Sequence, residues 1–184
     1  EVGPEVKLFK VGDRVSHASM PIGAYSEKHI MPENKLVPVP DGVSDEVASC
    51  VTLKGITAEY LLHRAYPLKK GDKVLYHAAA GALGQILCPW ANSIGAEIIG
   101  TVGSKEKEEI AKKNGCHHVI NYTDKNFVKE VEKIVGKNGI DVVYDGVGLK
   151  TFEGSIEVLK IRAMMVAFGN ASGYVNTIDV KKHI

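Results

Sequence analysis

Lys73-Val74-Leu75-Tyr76-His77-Ala78-Ala79-Ala80-Gly81-Ala82-Leu83-Gly84 reads as an apolar strand, a glycine turn and the start of a helix. That order of elements can bind an anion. The first backbone N–H groups of a helix have no acceptor within it and sit at the positive end of its dipole. Gly71-Asp72 supplies a turn ahead of the strand. Gly81 lets the chain turn tightly and lie bare against a pyrophosphate, and Gly84 lets the first helical turn pack close to the sheet. A glycine turn gains meaning only in context: a strand before, a helix after and a second strand within roughly 30 residues. Here Gly84–Ile94 is largely apolar, Gly95 suits a C-cap and Glu97–Thr101 is β-prone. The segment is therefore expected to bind a dinucleotide.

The end of the second strand bears on which dinucleotide. A site for NAD usually carries Asp or Glu about 20 residues after the glycines, to accept from the ribose 2′-OH. Here the strand ends Thr101-Val102-Gly103-Ser104-Lys105-Glu106-Lys107, with no carboxylate at the tip and two lysines just beyond it. Donors and positive charge suit a 2′-phosphate. Glu106 weakens that field. The expectation is NADP(H).

These pieces need a scaffold that brings strand ends to one edge. Strands are expected at 73–78, 97–102, 118–121, 141–144 and 163–168, and helices at 83–94, 105–114, 125–136 and 151–159. Such alternation predicts parallel strands with crossover helices, a Rossmann-type doubly wound α/β sheet that binds ligands at its carboxyl edge. Two further strand ends then join the glycine turn. One is Asp145-Gly146-Val147-Gly148; the other is Phe168-Gly169-Asn170-Ala171-Ser172-Gly173. Their glycines and small polar groups suit a nicotinamide passing close to backbone. Residues 1–44 differ in character. They are rich in Gly and Pro, with extended pieces expected at Val11–Val15, Gly23–Ile30 and Leu36–Pro40. Residues 45–66 turn helical, beginning at Asp45-Glu46-Val47-Ala48 and resuming over Thr57–Ala65. The domain reading is thus 1–44, a partial β-rich domain, and 45–184, a nucleotide domain.

Composition narrows the partners. The chain has 184 residues, 45% hydrophobic and 24% charged, with net charge +1. Near-neutral charge makes nucleic acid and acidic membrane surfaces poor partners. The sequence has neither a long apolar run nor a secretory leader, so a cytoplasmic setting is expected. Cys50, Cys88 and Cys116 lie far apart in sequence and read as free, mostly buried thiols of a reducing compartment. No Cys or His cluster has zinc-ligand spacing. The neighbours His117 and His118 enter a strand on opposite faces and read as structural. The opening Glu1-Val2-Gly3-Pro4 reads as the interior of a longer protein.

Several segments together resemble the zinc-independent quinone oxidoreductases, the zeta-crystallin-like branch of the medium-chain dehydrogenase/reductase superfamily. They are Leu53-Lys54-Gly55-Ile56-Thr57-Ala58, His77–Gly81, Cys88-Pro89-Trp90-Ala91, Gly100–Ser104, Val119-Ile120-Asn121-Tyr122, Val142–Gly148 and Phe168–Gly173. The resemblance implies a GroES-like catalytic domain, incomplete here, ahead of a Rossmann domain over 45–184 that is truncated at its C-terminal end. It implies metal-free reduction of quinones by NADPH and a homodimer when full length. By position, Gly81, Ala82, Leu83 and Gly84 would hold the pyrophosphate. Gly103, Ser104 and Lys107 would hold the adenosine 2′-phosphate, with Tyr122 against adenine. Thr57, Gly146, Phe168, Gly169, Asn170 and Ala171 would complete the cofactor site. No catalytic acid is named; an electrophilic quinone does not require one. An NADPH-dependent enoyl or alkenal reductase stands as the alternative enzyme, and a crystallin-like or RNA-binding protein as the alternative of another class. Three residues depart from the family pattern. Ala82 and Ala163 stand where glycines are usual, so that a left-handed backbone would be strained there. Pro89 falls inside a helix and is expected to kink it.

Overall fold

The computed structural model describes residues 1–178. Their packing divides the chain after Ile56, inside a helix, into a unit of Glu1–Ile56 and a second beginning at Thr57.

In the first unit, β1 (Val15–Ser16) pairs antiparallel with β2 (Val37–Pro38). Helix α1 (Asp45–Tyr60) begins where Arg14 reaches Asp45 at 2.6 Å and the Val43 carbonyl at 2.6 Å. The strand expected over Gly23–Ile30 does not form. The Ser26 hydroxyl lies 2.5 and 2.9 Å from the carbonyls of Gly23 and Lys28 and closes a local turn instead. Such side-chain bonds compete with a ladder for the backbone. The extended piece at Val11–Val15 shrinks to Val15–Ser16, because Lys10 and Asp13 form a turn ahead of it. α1 runs through Gly55 without a break, merging two helices expected separately.

The second unit is a five-stranded parallel sheet. It contains β3 (Lys73–His77), α2 (Gly84–Ile94), β4 (Glu97–Val102), α3 (Lys105–Lys113), β5 (His118–Asn121), α4 (Phe127–Val135), β6 (Ile140–Asp145), α5 (Phe152–Glu157) and β7 (Leu159–Ala167). The spatial order is β5-β4-β3-β6-β7. The chain winds outward from β3 through β4 to β5, then returns to the other side of β3. The reversal lies between β3 and β6, and a doubly wound sheet opens a crevice at such a point. The central strands β3, β4 and β6 are covered on both faces and are largely apolar. Val74, Tyr76, Ile98, Val142 and Tyr144 pack with Leu87, Cys88 and Ala91 of α2. Leu75, Ile99, Ile120 and Val143 pack with Val131 and Val158 on the other side. After α1 the chain makes a π-turn over Leu61–Ala65. The buried Tyr144 hydroxyl donates to the Leu61 carbonyl at 3.1 Å, tying that turn to the centre of the sheet.

Backbone angles settle two of the three departures from the family pattern. Ala82 has no positive φ; among the described residues, the left-handed non-glycine ones are Ala78, Asn138 and Arg162. Ala163 is likewise ordinary, and its neighbour Arg162, at φ 64°, carries the strain. The cause is a bulge: Ile140 pairs with Leu159 and Val142 with Met164, so Lys160–Ala163 lie opposite Asp141 alone. The bulge also makes β7 start at Leu159, where helix was expected. α2 continues past exposed Pro89 to a left-handed Gly95 at φ 93°.

Candidate functional site

Strand β3 ends at His77, and the turn that follows is held by few bonds. Ala79 N–H donates to the Thr101 carbonyl at 3.0 Å, and Gly81 N–H to the Ala78 carbonyl at 2.8 Å. Ala78 itself is left-handed, with φ 60°. A non-glycine residue there costs about 1–2 kcal/mol. The turn's conformational demand falls on Ala78, not on Gly81. Gly84 is constrained by space. A Cβ on it would lie 2.7 and 3.0 Å from the Ala79 carbonyl carbon and Cα. The start of α2 therefore lies backbone to backbone against the turn that follows β3.

Helix α2 begins without a side-chain cap. By contrast Ser104 caps α3 and Asn126 caps α4. Gln85 N–H reaches the Gly81 carbonyl and Ile86 N–H the Leu83 carbonyl. Among the described residues, the amides of Ala82, Leu83 and Gly84 have no acceptor. Three free donors at the start of an eleven-residue helix, at the point of strand reversal, fit an anion.

At the tip of β4, Gly103 is overlaid by Tyr122. A Cβ there would lie 2.6 Å from the phenol oxygen. Tyr122 itself is 47% exposed, leaving much of the side chain open. The sequence did not show that these two residues share one spot. Ser104 accepts from Lys107 N–H at 3.4 Å, and its hydroxyl, with backbone help, holds the Glu106 carboxyl below its ordinary range. Lys105 and Lys107 are exposed. The tip thus offers a hydroxyl, two cations and one competing carboxylate.

The loops after β6 and β7 are zipped together. Phe168 N–H donates to the Asp145 carbonyl at 2.9 Å, Ala171 N–H to Gly146 at 3.3 Å and Ser172 N–H to Val147 at 2.7 Å. The Phe168 ring stacks with Tyr76 at 6.4 Å between centroids and lies where a Cβ on Gly146 would stand, at 2.9 Å. Gly169 passes equally close to the Gly146 backbone. Of the residues expected here, Phe168 and Ala171 spend their amides on the neighbouring loop, while Asn170 stays exposed. A cavity of about 460 Å³ opens beside Asp145, Gly148, Phe168, Gly169, Asn170 and Tyr174. A wider groove of about 1010 Å³ runs past Lys137, Asn138, Leu159 and Arg162 and touches none of the strand-end loops. Thr57 lies half-buried near the end of α1, outside these loops.

The carboxyl edge also hides a buried polar cluster that sequence reading missed: His77, Thr101, Asp145, Thr151 and Ser155. The signal available was a histidine and an aspartate closing two adjacent apolar strands. Elsewhere, Cys88 and Cys116, far apart in sequence, meet in one buried cluster, and the neighbouring Cys116 thiol together with burial pushes Cys88 far up. His117 accepts from Ile98 N–H at 3.1 Å and His118 meets Glu97 at 3.2 Å, so they serve separate neighbours. Among the described residues no three His, Cys, Asp or Glu side chains converge as metal ligands.

The chain belongs to the family described as zinc-binding dehydrogenase, whose profile matches residues 82–184. The described residues do not fit the zinc of that description. Among curated relatives, a 2-haloacrylate reductase of a Burkholderia species is 48% identical over 98% of this chain and 55% of its own length. A quinone oxidoreductase of Pseudomonas aeruginosa is 45% identical over 97% of this chain and 55% of its own length. The solved structure of Escherichia coli quinone oxidoreductase complexed with NADPH superimposes with a TM-score of 0.95 at 43% identity, covering 99% of this chain and 56% of that one. The chain thus spans about half the length of the curated relatives it matches, and the resemblance to quinone oxidoreductases and the Rossmann-type fold both hold.

Proposed function

We propose that this chain carries the NADPH-binding part of a reductase that transfers hydride to quinones. The observation that carries the reading is the uncapped start of α2, with three free amides at the β3/β6 reversal. Gly81, Ala82, Leu83 and Gly84 would hold the pyrophosphate. Gly103, Ser104 and Lys107 would hold the 2′-phosphate, with Tyr122 against adenine. Gly146, Phe168, Gly169, Asn170 and Ala171 would border the nicotinamide half, and Thr57 would approach from α1. When bound, the cofactor supplies the hydride, and the protein's work is binding and orientation. The NADPH complex of the superimposed relative supports this assignment. A quinone is already electrophilic, so this reading requires no general acid from the chain.

The 2-haloacrylate reductase likeness favours a second reading, reduction of an activated alkene on the same scaffold. Both substrates present a conjugated acceptor, and turnover of a quinone against an enone on the same preparation separates them. We further propose metal independence, supported by the lack of a ligand cluster among the described residues. Three free cysteines support a reducing, cytoplasmic setting. The exposed edge strand β7, with Ile161 92% exposed, supports a homodimer. No described helix is long and apolar enough to cross a membrane. Fluorescence titration with NADPH and NADH tests the central assignment: tighter NADPH binding is expected, and equal affinity or NADH preference overturns it.

A further inference from the structure

Asp145 ends β6 with its side chain fully buried, yet every acceptor position on it is used. Oδ1 accepts from the amides of Val147 at 2.7 Å and Gly148 at 2.9 Å. Oδ2 accepts from the hydroxyls of Thr151 at 2.7 Å and Ser155 at 3.0 Å. The carboxylate therefore shapes the turn Gly146-Val147-Gly148 directly. Gly148, at φ 87°, shows how sharp that turn is.

Proton accounting extends the network. Ser155 has one hydroxyl proton, and it goes to Asp145. Its oxygen can then only accept from His77 Nε2, 2.9 Å away. His77 Nε2 must carry the ring proton. Burial pushes His77 down to about 4, against the pull of Asp145, so the ring holds a single proton at neutral pH. Nδ1 is then a bare acceptor, and the Thr101 hydroxyl donates to it at 2.8 Å. The chain of bonds runs one way: Thr101 to His77 to Ser155 to Asp145. It ties the carboxyl ends of β3, β4 and β6 through α5. A polar network satisfied at every atom rigidifies its surroundings.

We propose that Asp145 is a positioning residue, fixed by Ser155, His77 and Thr101, that holds the Gly146–Gly148 turn in shape for the nicotinamide half of the cofactor. This rests on the NADPH reading above. The turn borders the 460 Å³ cavity, whereas on that reading the adenosine end would lie at the β4 tip, where Tyr122 meets Gly103. Loss of one link should therefore affect one half of the ligand.

Two probes make that split measurable: NADPH itself and 2′,5′-ADP, which lacks the nicotinamide half. In Ser155→Ala and Thr151→Val, NADPH affinity is expected to fall roughly tenfold, the scale of one charged hydrogen bond left unmade. The affinity for 2′,5′-ADP should stay within about twofold of the parent, since no adenosine-side group is touched. Thr151→Ser, which keeps the hydroxyl, should recover NADPH binding. Equal loss of both probes, or of neither, in folded variants overturns the proposal. A parent protein that binds neither probe refutes the NADPH reading instead. Nitrogen-15 spectra of the unaltered protein give a readout independent of any variant's folding: the Nε2–H tautomer of His77 is expected, and an Nδ1–H ring overturns the chain.

Discussion

Replacing Gly84 by alanine tests whether the start of α2 and the turn before it must touch backbone to backbone for the site to exist. In an ordinary helix this change stabilises by about 0.5–1 kcal/mol, because alanine loses less freedom on folding. Here the added carbon would sit 2.7 Å from the Ala79 carbonyl carbon and 3.0 Å from its Cα. Neither atom belongs to a flexible side chain, so α2 must move away from the turn by several tenths of an ångström. Forced overpacking of this kind costs about 1–3 kcal/mol. The net expectation is destabilisation by about 1–2 kcal/mol, opposite in sign to the helix propensity. The movement also shifts the free amides of Ala82, Leu83 and Gly84, so NADPH binding should weaken more than tenfold, beyond 1.4 kcal/mol. Gly81→Ala is the control. Its Cβ would meet only the Ala78 carbonyl oxygen at 3.1 Å, in an exposed turn, with no positive φ. Its stability should change by less than about 0.5 kcal/mol. Gly81→Val, with two more carbons beside the amides, should stay folded and lose NADPH. Urea denaturation with circular dichroism gives the stabilities, and nicotinamide fluorescence gives the affinities. A Gly84→Ala variant as stable as the parent, still binding NADPH like the parent, would show the close approach to be incidental and sink the reasoning.

Three further outcomes are expected. Lys107→Ala should weaken NADPH roughly tenfold and leave NADH nearly unchanged, since the lysine faces only the extra phosphate; parallel titrations decide it. His77 is protonated near 6.5 when unfolded but only near 4 when folded. The unfolded chain binds the extra proton between those values, so stability falls as pH drops from 6.5 to 4, by about 3 kcal/mol from this group. Denaturation of the parent and of His77→Gln across that range measures it, and identical pH slopes refute it. Arg162→Gly relieves a left-handed residue at φ 64° that makes no side-chain hydrogen bond or ion pair among the described residues. It should stabilise by up to about 1 kcal/mol after the entropy of glycine is counted, while Arg162→Ala gains nothing; urea midpoints distinguish them.

The parallel sheet was legible because its central strands are covered on both faces. Val74–His77, Glu97–Val102 and Ile140–Asp145 are dense in β-branched and aromatic residues, and each is followed by a turn and a helical stretch. Alternation of that kind leaves little choice of topology. The first 44 residues were legible only in composition. Short extended pieces carry no periodicity strong enough to beat local bonds, and Ser26 illustrates the outcome at Gly23 and Lys28. The start of β7 was missed for a related reason. A bulge takes four residues out of register, and Lys160-Ile161-Arg162-Ala163 looks like neither strand nor turn in a linear reading.

The candidate site divides the same way, between what a residue type reveals and what only assembly reveals. Gly84 could be assigned to close packing because glycine is the residue that close packing demands, and the structure places Ala79 backbone against it. Gly103 carried the same letter but a different cause, a tyrosine arriving from the next strand. His77 and Asp145 are 68 positions apart and close neighbouring strands, so their shared network follows from the β3–β6 pairing and not from any local motif. The pairing itself was predictable from the crossover rule. Once β3 and β6 are placed side by side, a histidine and an aspartate at their ends must be buried at the same depth. Two such groups persist in an apolar wall only if every proton finds an acceptor. Thr101, Thr151 and Ser155 then have to be hydroxyl residues, and the turn after Asp145 has to present its amides inward. The polar edge of this sheet is therefore a consequence of strand order as much as of sequence, which is why a reading that stopped at motifs could name the glycines and not the aspartate that holds them.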